Sequence, residues 1–196
     1  FNGTHVAFEG VRFADGTTWS HQGLGEMAIV QGSSTSDSFD YSNSNNNLSF
    51  RGNAGNDLLL GGFAQDRYYF GGHDGNNVIR DAGGTDFIYF DQGISTENLT
   101  VTVLGSHLKL ETNTDGNPAN DTEIIIENWF GNDNTQSSNT AQPIEGILFA
   151  DGSYWSNAFT ESQISAVNGT FRDDTWNFQH SNKGLAFSGA HGNDTI

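Results

Sequence analysis

The feature that most constrains this chain is a repeat on two scales. Residues 8–20 (FEGVRFADGTTWS) match residues 144–156 (IEGILFADGSYWS) at 8 of 13 positions, 136 residues later. Residues 50–59 (FRGNAGNDLL) are similar to residues 187–196 (FSGAHGNDTI) at an offset of 137. The sequence therefore contains about one and a half copies of a tandem module. We expect it to be a piece of a longer protein, beginning and ending inside copies.

A shorter period runs between residues 32 and 90. An acidic or amide residue, followed two places later by an apolar residue, recurs at spacings of 9, 11, 9, 11 and 9. The pairs are Asp37/Phe39, Asn46/Leu48, Asp57/Leu59, Asp66/Tyr68, Asn77/Ile79 and Asp86/Ile88. This period does not fit a helix, whereas a coil of two short strands and two turns fits it. It predicts apolar ladders built from the inward pairs Leu48/Phe50, Tyr68/Phe70 and Ile88/Phe90.

The predicted fold is all-β, with a right-handed parallel β-roll (β-solenoid) of about three coils and antiparallel β segments, which a family resemblance given below implies to be capping segments. With that resemblance, the predicted parts are the end of a preceding capping module (1–31), a β-roll (32–91), a capping β module (92–165) and the start of a second β-roll (166–196). Asp15 and Asp151 each precede a glycine, and we expect them to form hairpin turns rather than bind metal. Residues 156–164 are predicted to contain a short helix capped by Ser156 or Asn157.

The charge of the chain limits its partners. There are 24 acidic and 7 basic residues, which give a formal net charge of −17. Such a charge argues against nucleic acid or insertion into an anionic membrane, and it favours a cation as partner. The absence of cysteine excludes disulfides and thiolate metal sites. Only 34% of the residues are hydrophobic, so we expect the chain to need a counter-ion in order to fold.

In a β-roll, turns on the same side lie one coil apart. The predicted edges hold Asp37, Asp57 and Asn77 on one side, and Asn46, Asp66 and Asp86 on the other. Two carboxylates about 5 Å apart repel by roughly 3 kcal/mol at an effective dielectric constant near 20. A dication between them reverses this repulsion, and calcium is the metal that prefers six to eight oxygen ligands. A single Gly-Asn-Asp cluster is also typical of an ordinary turn, so the metal prediction depends on the regular series.

The turn sequences resemble the haemolysin-type calcium-binding repeats of the RTX family, whose nonapeptide is GGxGxDxUx with U apolar. The best matches are GNAGNDLLL (52–60), GGFAQDRYY (61–69) and GAHGNDTI (189–196). Residues 71–90 resemble the family's usual final coil. Residues 94–155 resemble the domain that often caps these repeats, including the segments LTVTVLGSHLKL, IIIENWF and IEGILFADGSYW.

The resemblance implies calcium as the cofactor and a set of ligands. The implied ligands are the side chains of Asp57, Asp66, Asp86 and Asn77, and the backbone carbonyls of Gly52, Ala54, Gly61, Phe63, Gly72 and Asp74. Asp37 and Asp194, which hold the acidic position of the period, complete the predicted metal-binding residues. Because Asn46, Asn77 and Lys183 replace aspartate, we expect two or three filled sites rather than a full column.

Two functions from different classes are compatible with the sequence. The first is a calcium-binding structural module of a large secreted or cell-surface bacterial RTX protein, of the extender, adhesin, surface-layer or filament type. It would fold on binding calcium outside the cell, next to neighbouring tandem modules. The alternative is a polysaccharide-binding module attached to an extracellular enzyme, with Tyr69 and Tyr89 as exposed aromatic candidates. No catalytic motif is present, so we predict that the chain is not an enzyme.

Overall fold

The computed structural model describes residues 10–20, 29–117, 121–130, 144–168 and 186–188. These residues form an all-β structure with one short helix, which confirms the all-β part of the predicted fold class. No helix in these parts of the chain combines the length and apolar character that a membrane crossing needs. Asp194 and Lys183 lie outside the described residues.

The secondary structure consists almost entirely of short strands. In chain order these are β1 (Gly10–Arg12), β2 (Thr18–Ser20), β3 (Ile29–Gln31), β4 (Ser38–Asp40), β5 (Ser49–Arg51), β6 (Leu58–Leu60), β7 (Arg67–Phe70), β8 (Asn76–Arg80), β9 (Phe87–Phe90), β10 (Leu99–Leu104), β11 (His107–Thr112), β12 (Glu123–Ile126), β13 (Gly146–Leu148), β14 (Tyr154–Ser156), helix α1 (Asn157–Ser162), β15 (Ile164–Asn168) and β16 (Ala186–Ser188).

Successive strands from β3 to β9 alternate between two sheets. The six-stranded sheet has the order β14-β13-β9-β7-β5-β3, and the eight-stranded sheet has the order β16-β15-β10-β11-β12-β8-β6-β4. Neighbouring strands among β3 to β9 pair in parallel. Both sheets are mixed, because β13–β14 and β10–β11–β12 pair antiparallel. β1 and β2 form a separate antiparallel hairpin.

The core lies between the two sheets, and period-two alternation explains it. On β7, Tyr68 and Phe70 are buried while their neighbours are half-buried. On the facing sheet, Leu59 and Ile79 are fully buried and occupy paired positions. Because alternate side chains of a strand point to opposite faces, each short strand contributes one or two residues to this core.

The strand register differs from the predicted one at a single step. Phe50, rather than Leu48, pairs with Tyr68, because the turn formed by residues 41–48 is two residues longer than the turn formed by residues 61–66. The two rings stack with centroids 5.1 Å apart and an interplanar angle of 7°. Both side chains are fully buried, whereas Leu48 is only partly buried. Burial of two stacked rings favours this register over the predicted ladder.

The C-terminal part of the described structure continues both sheets. β12 pairs in parallel with β8, and β13 pairs in parallel with β9. Phe149, next to β13, lies 5.5 Å from Phe90 and 5.3 Å from Trp155 between ring centroids, so aromatic rings cover the end of the core. Helix α1 begins after Ser156, whose side chain accepts a hydrogen bond from the backbone N–H of Phe159. This is the predicted helix and one of its two predicted caps.

Candidate metal centre

The first edge of the parallel strands brings together three predicted ligands. The backbone N–H of Asp37 donates to Asp57 Oδ1 at 2.8 Å, and the N–H of Asp57 donates to Asn77 Oδ1 at 3.1 Å. The side chains of Asp57 and Asn77 therefore each lie against the backbone of the residue 20 positions earlier. The three residues form the column that the period predicts, although their role as metal ligands stays a prediction.

Asp57 has one carboxylate oxygen without a partner. Its side chain is 2% exposed, and Oδ2 accepts no hydrogen bond from the described residues. Burial raises the pKa of Asp57, and the nearby charges of Asp37 and Asp74 raise it further. An unpaired buried carboxylate is costly unless a cation or a donor reaches it. Asp57 Oδ2 is therefore a natural point of attachment for a cation.

The second edge contains a closer pair of carboxylates. The N–H of Asp66 donates to Asp86 Oδ1 at 2.6 Å, and both side chains are completely buried. The Asp66 oxygens accept from the N–H groups of Leu48 and Gly62, each at 2.8 Å. Asp86 Oδ2 has no hydrogen-bond partner among the described residues. This edge thus repeats the arrangement at Asp57, with a buried oxygen left free.

Asn46 does not join this second column. The contact to Asp66 Oδ1 comes from Leu48, and the N–H of Asn46 is instead bonded within its own turn to Ser44 Oγ at 3.1 Å. The placement of Asn46 beside Asp66 was therefore wrong, for the same reason as the ladder register. Because the turn formed by residues 41–48 is two residues longer, Leu48 rather than Asn46 lies opposite Asp66.

Asp81 is a member of the site that the sequence reasoning missed. Asp66, Asp81 and Asp86 each offer a carboxylate oxygen, and these oxygens all lie within 4.8 Å of one another. Tyr68 donates its hydroxyl to Asp81 Oδ2 at 2.5 Å, and the N–H of Gly83 donates to Oδ1 at 2.8 Å. The signal was present in the sequence. Asp81 lies five residues before Asp86, at the position that is glycine in most other turns of the series.

Glu145 is the second residue of the site that was not predicted from the sequence. It lies near the start of residues 144–156, the segment that matches residues 8–20. Its Oε2 accepts the N–H of Asp86 at 2.5 Å. Glu145 precedes β13, which pairs with β9 so that Gly146 lies opposite Phe87. The glutamate consequently lies next to Asp86, outside the 9/11 period that guided the prediction.

The carboxylates of this edge disturb one another electrostatically. Burial, together with the charges of Asp81, Glu145 and Asp66, raises the pKa of Asp86 to about 8. Burial likewise raises the pKa of Asp81 to about 6 and raises the pKa values of Asp66 and Glu145. In the described structure, the ion pairs are Arg51–Asp91, Arg80–Glu127, Lys109–Glu111 and Lys109–Glu123. None of these pairs includes Asp66, Asp81, Asp86 or Glu145, so they do not neutralise the negative charge of this edge.

The six residues predicted to ligate through backbone carbonyls occupy different surroundings. Gly52 and Gly61 lie so close to Asp57 and Asp66 respectively that a Cβ on either glycine would overlap a carboxylate. Phe63 is 56% exposed, and Gly72 lies beside Thr114. Ala54 lies in the turn between β5 and β6, and the Asp74 carbonyl accepts from Asn77 Nδ2 at 3.2 Å. Their roles as ligands stay predictions.

The donor atoms on the two edges fit calcium. They are carboxylate and amide oxygens, with no nitrogen or sulfur ligand among the residues described above. Zinc favours nitrogen and sulfur, whereas calcium accepts a set of oxygens in flexible geometry. The free oxygens of Asp57 and Asp86 give a cation one attachment point on each edge.

The outward tyrosines considered for polysaccharide binding pack on each other. The rings of Tyr69 and Tyr89 stack at 5.0 Å, and the Arg51 guanidinium lies 5.4 Å from the Tyr69 ring centroid. Arg51 is held in turn by two hydrogen bonds to Asp91, at 2.6 and 3.0 Å. Much of the aromatic surface therefore has a partner within the protein, and polysaccharide binding stays a prediction.

Comparison with known proteins supports the calcium-binding interpretation for one segment. The family model of the haemolysin-type calcium binding protein related domain matches residues 119–158, which include β12, β13 and β14. No curated protein matches the chain. The matched segment is thus similar to a domain associated with haemolysin-type calcium-binding proteins, which supports an RTX-like, calcium-binding module.

Proposed function

We propose that this chain is a calcium-dependent structural module of the RTX type, in which a parallel β-roll of about three coils folds around calcium ions. The observation that carries the proposal is the pair of buried carboxylate oxygens without partners, Asp57 Oδ2 on one edge and Asp86 Oδ2 on the other. The parallel strands that alternate between two sheets, and the similarity of residues 119–158 to a calcium-binding-related domain, support it.

The physical basis is a coupling between ion binding and folding. The stacked carboxylates come together only in the folded chain, so a cation that bridges them binds the folded state in preference to the unfolded one. The free energy of that binding then adds to the stability of the fold. With a formal charge of −17, we expect the metal-free chain to be destabilised by self-repulsion at neutral pH.

We further propose that the module belongs to a secreted or cell-surface protein and serves as an extender, adhesin or surface-layer segment rather than as an enzyme. Calcium sites of extracellular modules often have dissociation constants of about 0.1 to 1 mM, so such a module would stay unfolded inside the cell and fold outside. Residues 92–165 would act as its cap. Neighbouring copies of the module would be its immediate partners, as the internal repeat favours.

The test is a calcium titration of the chelated chain followed by far-UV circular dichroism. We expect strand signal to rise cooperatively between zero and millimolar calcium. Magnesium at the same concentration should be much less effective, because it demands near-ideal octahedral geometry. Sodium chloride at matched ionic strength controls for charge screening. Strand signal that is the same in chelator and in millimolar calcium would contradict the proposal.

A further inference from the structure

The contact between Asp66 and Asp86 is repeated one step further along the edge. The N–H of Asp66 donates to a carboxylate oxygen of Asp86 at 2.6 Å, and the N–H of Asp86 donates to a carboxylate oxygen of Glu145 at 2.5 Å. β7, β9 and β13 are neighbouring parallel strands of one sheet. Glu145 therefore takes the place that an aspartate of a further coil would occupy.

Asp81 reaches the same region from the preceding turn. A Cβ on Gly61 would overlap the carboxylate of Asp81 and the hydroxyl of Tyr68, so Asp81 stands against the backbone one coil earlier. The hydroxyl of Tyr68, a core residue, holds the Asp81 carboxylate in place. Asp81 is therefore positioned beside Asp66 and Asp86 by the fold, and the residue is half-buried.

A second observation indicates that this acidic group binds a ligand. Asp86 is completely buried, and its Oδ2 has no donor among the described residues. Asp66 and Glu145 are joined to Asp86 by hydrogen bonds, and a carboxylate oxygen of Asp81 lies within 4.8 Å of one of Asp86, so the charged neighbours of Asp86 here are acids. A buried oxygen surrounded by acids requires either a proton or a metal cation.

We propose that Asp81 and Glu145 complete, with Asp66 and Asp86, one divalent-cation site at the last coil. This inference rests on the proposed calcium-dependent function and adds two ligands from outside the repeat series. Because calcium affinity increases with the number of charged ligands, this site is the tighter of the two edges in the described structure. Because Glu145 leads into the hairpin formed by β13 and β14, calcium at this site ties the hairpin to the last coil.

Calcium calorimetry on the whole chain tests the two ligands. We expect Asp81→Asn and Glu145→Gln each to weaken the tightest class of sites by about tenfold or more, the scale at which metal-site partners act. The controls Asp40→Asn and Glu97→Gln remove the same charge from exposed residues that are not among the four proposed ligands, and they should bind as the unmodified chain does. If Asp81→Asn and Glu145→Gln also bind as the unmodified chain does, the inference is overturned.

Hydrogen exchange of the unmodified chain tests the inference without a variant. Protection of residues 144–156 should rise with calcium at the same midpoint as protection of residues 81–90. A hairpin already protected in chelator, or one that calcium leaves unprotected, would overturn the role of Glu145. Absence of any calcium binding by the unmodified chain would instead reject the proposed function, so the two failures are distinguishable.

Discussion

The two carboxylate oxygens of an aspartate in these columns can have different roles: one accepts a backbone hydrogen bond, and the other can bind a cation. One oxygen accepts a backbone N–H from the residue 20 positions earlier, as Asp57 does from Asp37 and Asp86 does from Asp66. An asparagine can accept the same backbone hydrogen bond through its amide oxygen, as Asn77 does from Asp57. In Asp57 and Asp86 the second oxygen has no partner among the described residues and is available to a cation, whereas in Asp66 it accepts the N–H of Gly62. Asparagine therefore keeps this hydrogen bond while it removes the charge.

The glycine of the same turn makes room for the carboxylate. A Cβ at position 52 would overlap the Asp57 carboxylate, whose position is fixed by its bond to Asp37. We expect Gly52→Ala to lower the free energy of unfolding by about 1–3 kcal/mol, the usual cost of overpacking. Chemical denaturation in millimolar calcium measures this loss.

Gly72→Ala is the matched control for Gly52→Ala. A Cβ at position 72 would come no closer than 3.5 Å to Thr114, which is an ordinary contact. The free energy of unfolding should therefore change by less than about 1 kcal/mol. Equal effects of the two substitutions would contradict the close approach of Gly52 to Asp57.

At the scale of the strands, the sequence predicted the repeating unit better than its register. The columns at Asp37, Asp57 and Asn77 follow the period, because both steps on that edge are 20 residues. On the other sheet, Phe50 pairs with Tyr68 at a separation of 18. A turn can absorb two extra residues at little cost, so the spacing alone could not choose between Leu48 and Phe50. The stacking of the Phe50 ring on the Tyr68 ring accounts for the observed pairing.

Truncation of the two competing residues tests the register. Phe50 is fully buried against Tyr68, so Phe50→Ala should reduce the free energy of unfolding by about 3–5 kcal/mol. Leu48 is only partly buried, and Leu48→Ala should cost less than about 2 kcal/mol. Denaturant unfolding in saturating calcium compares them. A larger loss for Leu48→Ala would favour the register predicted from spacing.

The candidate site was predictable where it follows the repeat and unpredictable where it leaves it. Asp57, Asp66 and Asp86 are periodic, and the structure places them in columns. Asp81 stands where most other turns of the series have glycine, and this difference is visible in the sequence. Only the structure shows that the Tyr68 hydroxyl holds Asp81 beside the other carboxylates. Glu145 is separated from Asp86 by 59 residues, and only the parallel pairing of β13 with β9 brings the two together.

At the scale of the whole molecule, the raised carboxyl pKa values all change the pH dependence of stability in the same direction. Burial raises the pKa of Asp57, Asp66 and Glu145, raises that of Asp81 to about 6 and raises that of Asp86 to about 8. The folded metal-free chain therefore binds more protons than the unfolded chain at pH values between the ordinary carboxyl range and about 8. Its stability must fall as the pH rises through this window.

In chelator, we accordingly expect more folded chain at pH 5.5 than at pH 8.5, since at pH 5.5 a proton occupies the position that a cation would otherwise take. Far-UV circular dichroism at the two pH values measures the difference, and both values lie above the sequence pI of about 4.3. Calcium should reverse the order, because it binds the deprotonated carboxylates and competes with protons. In millimolar calcium the chain should therefore be at least as folded at pH 8.5. Strand signal in chelator that increases with pH would show that the buried carboxylates do not carry protons in the metal-free fold.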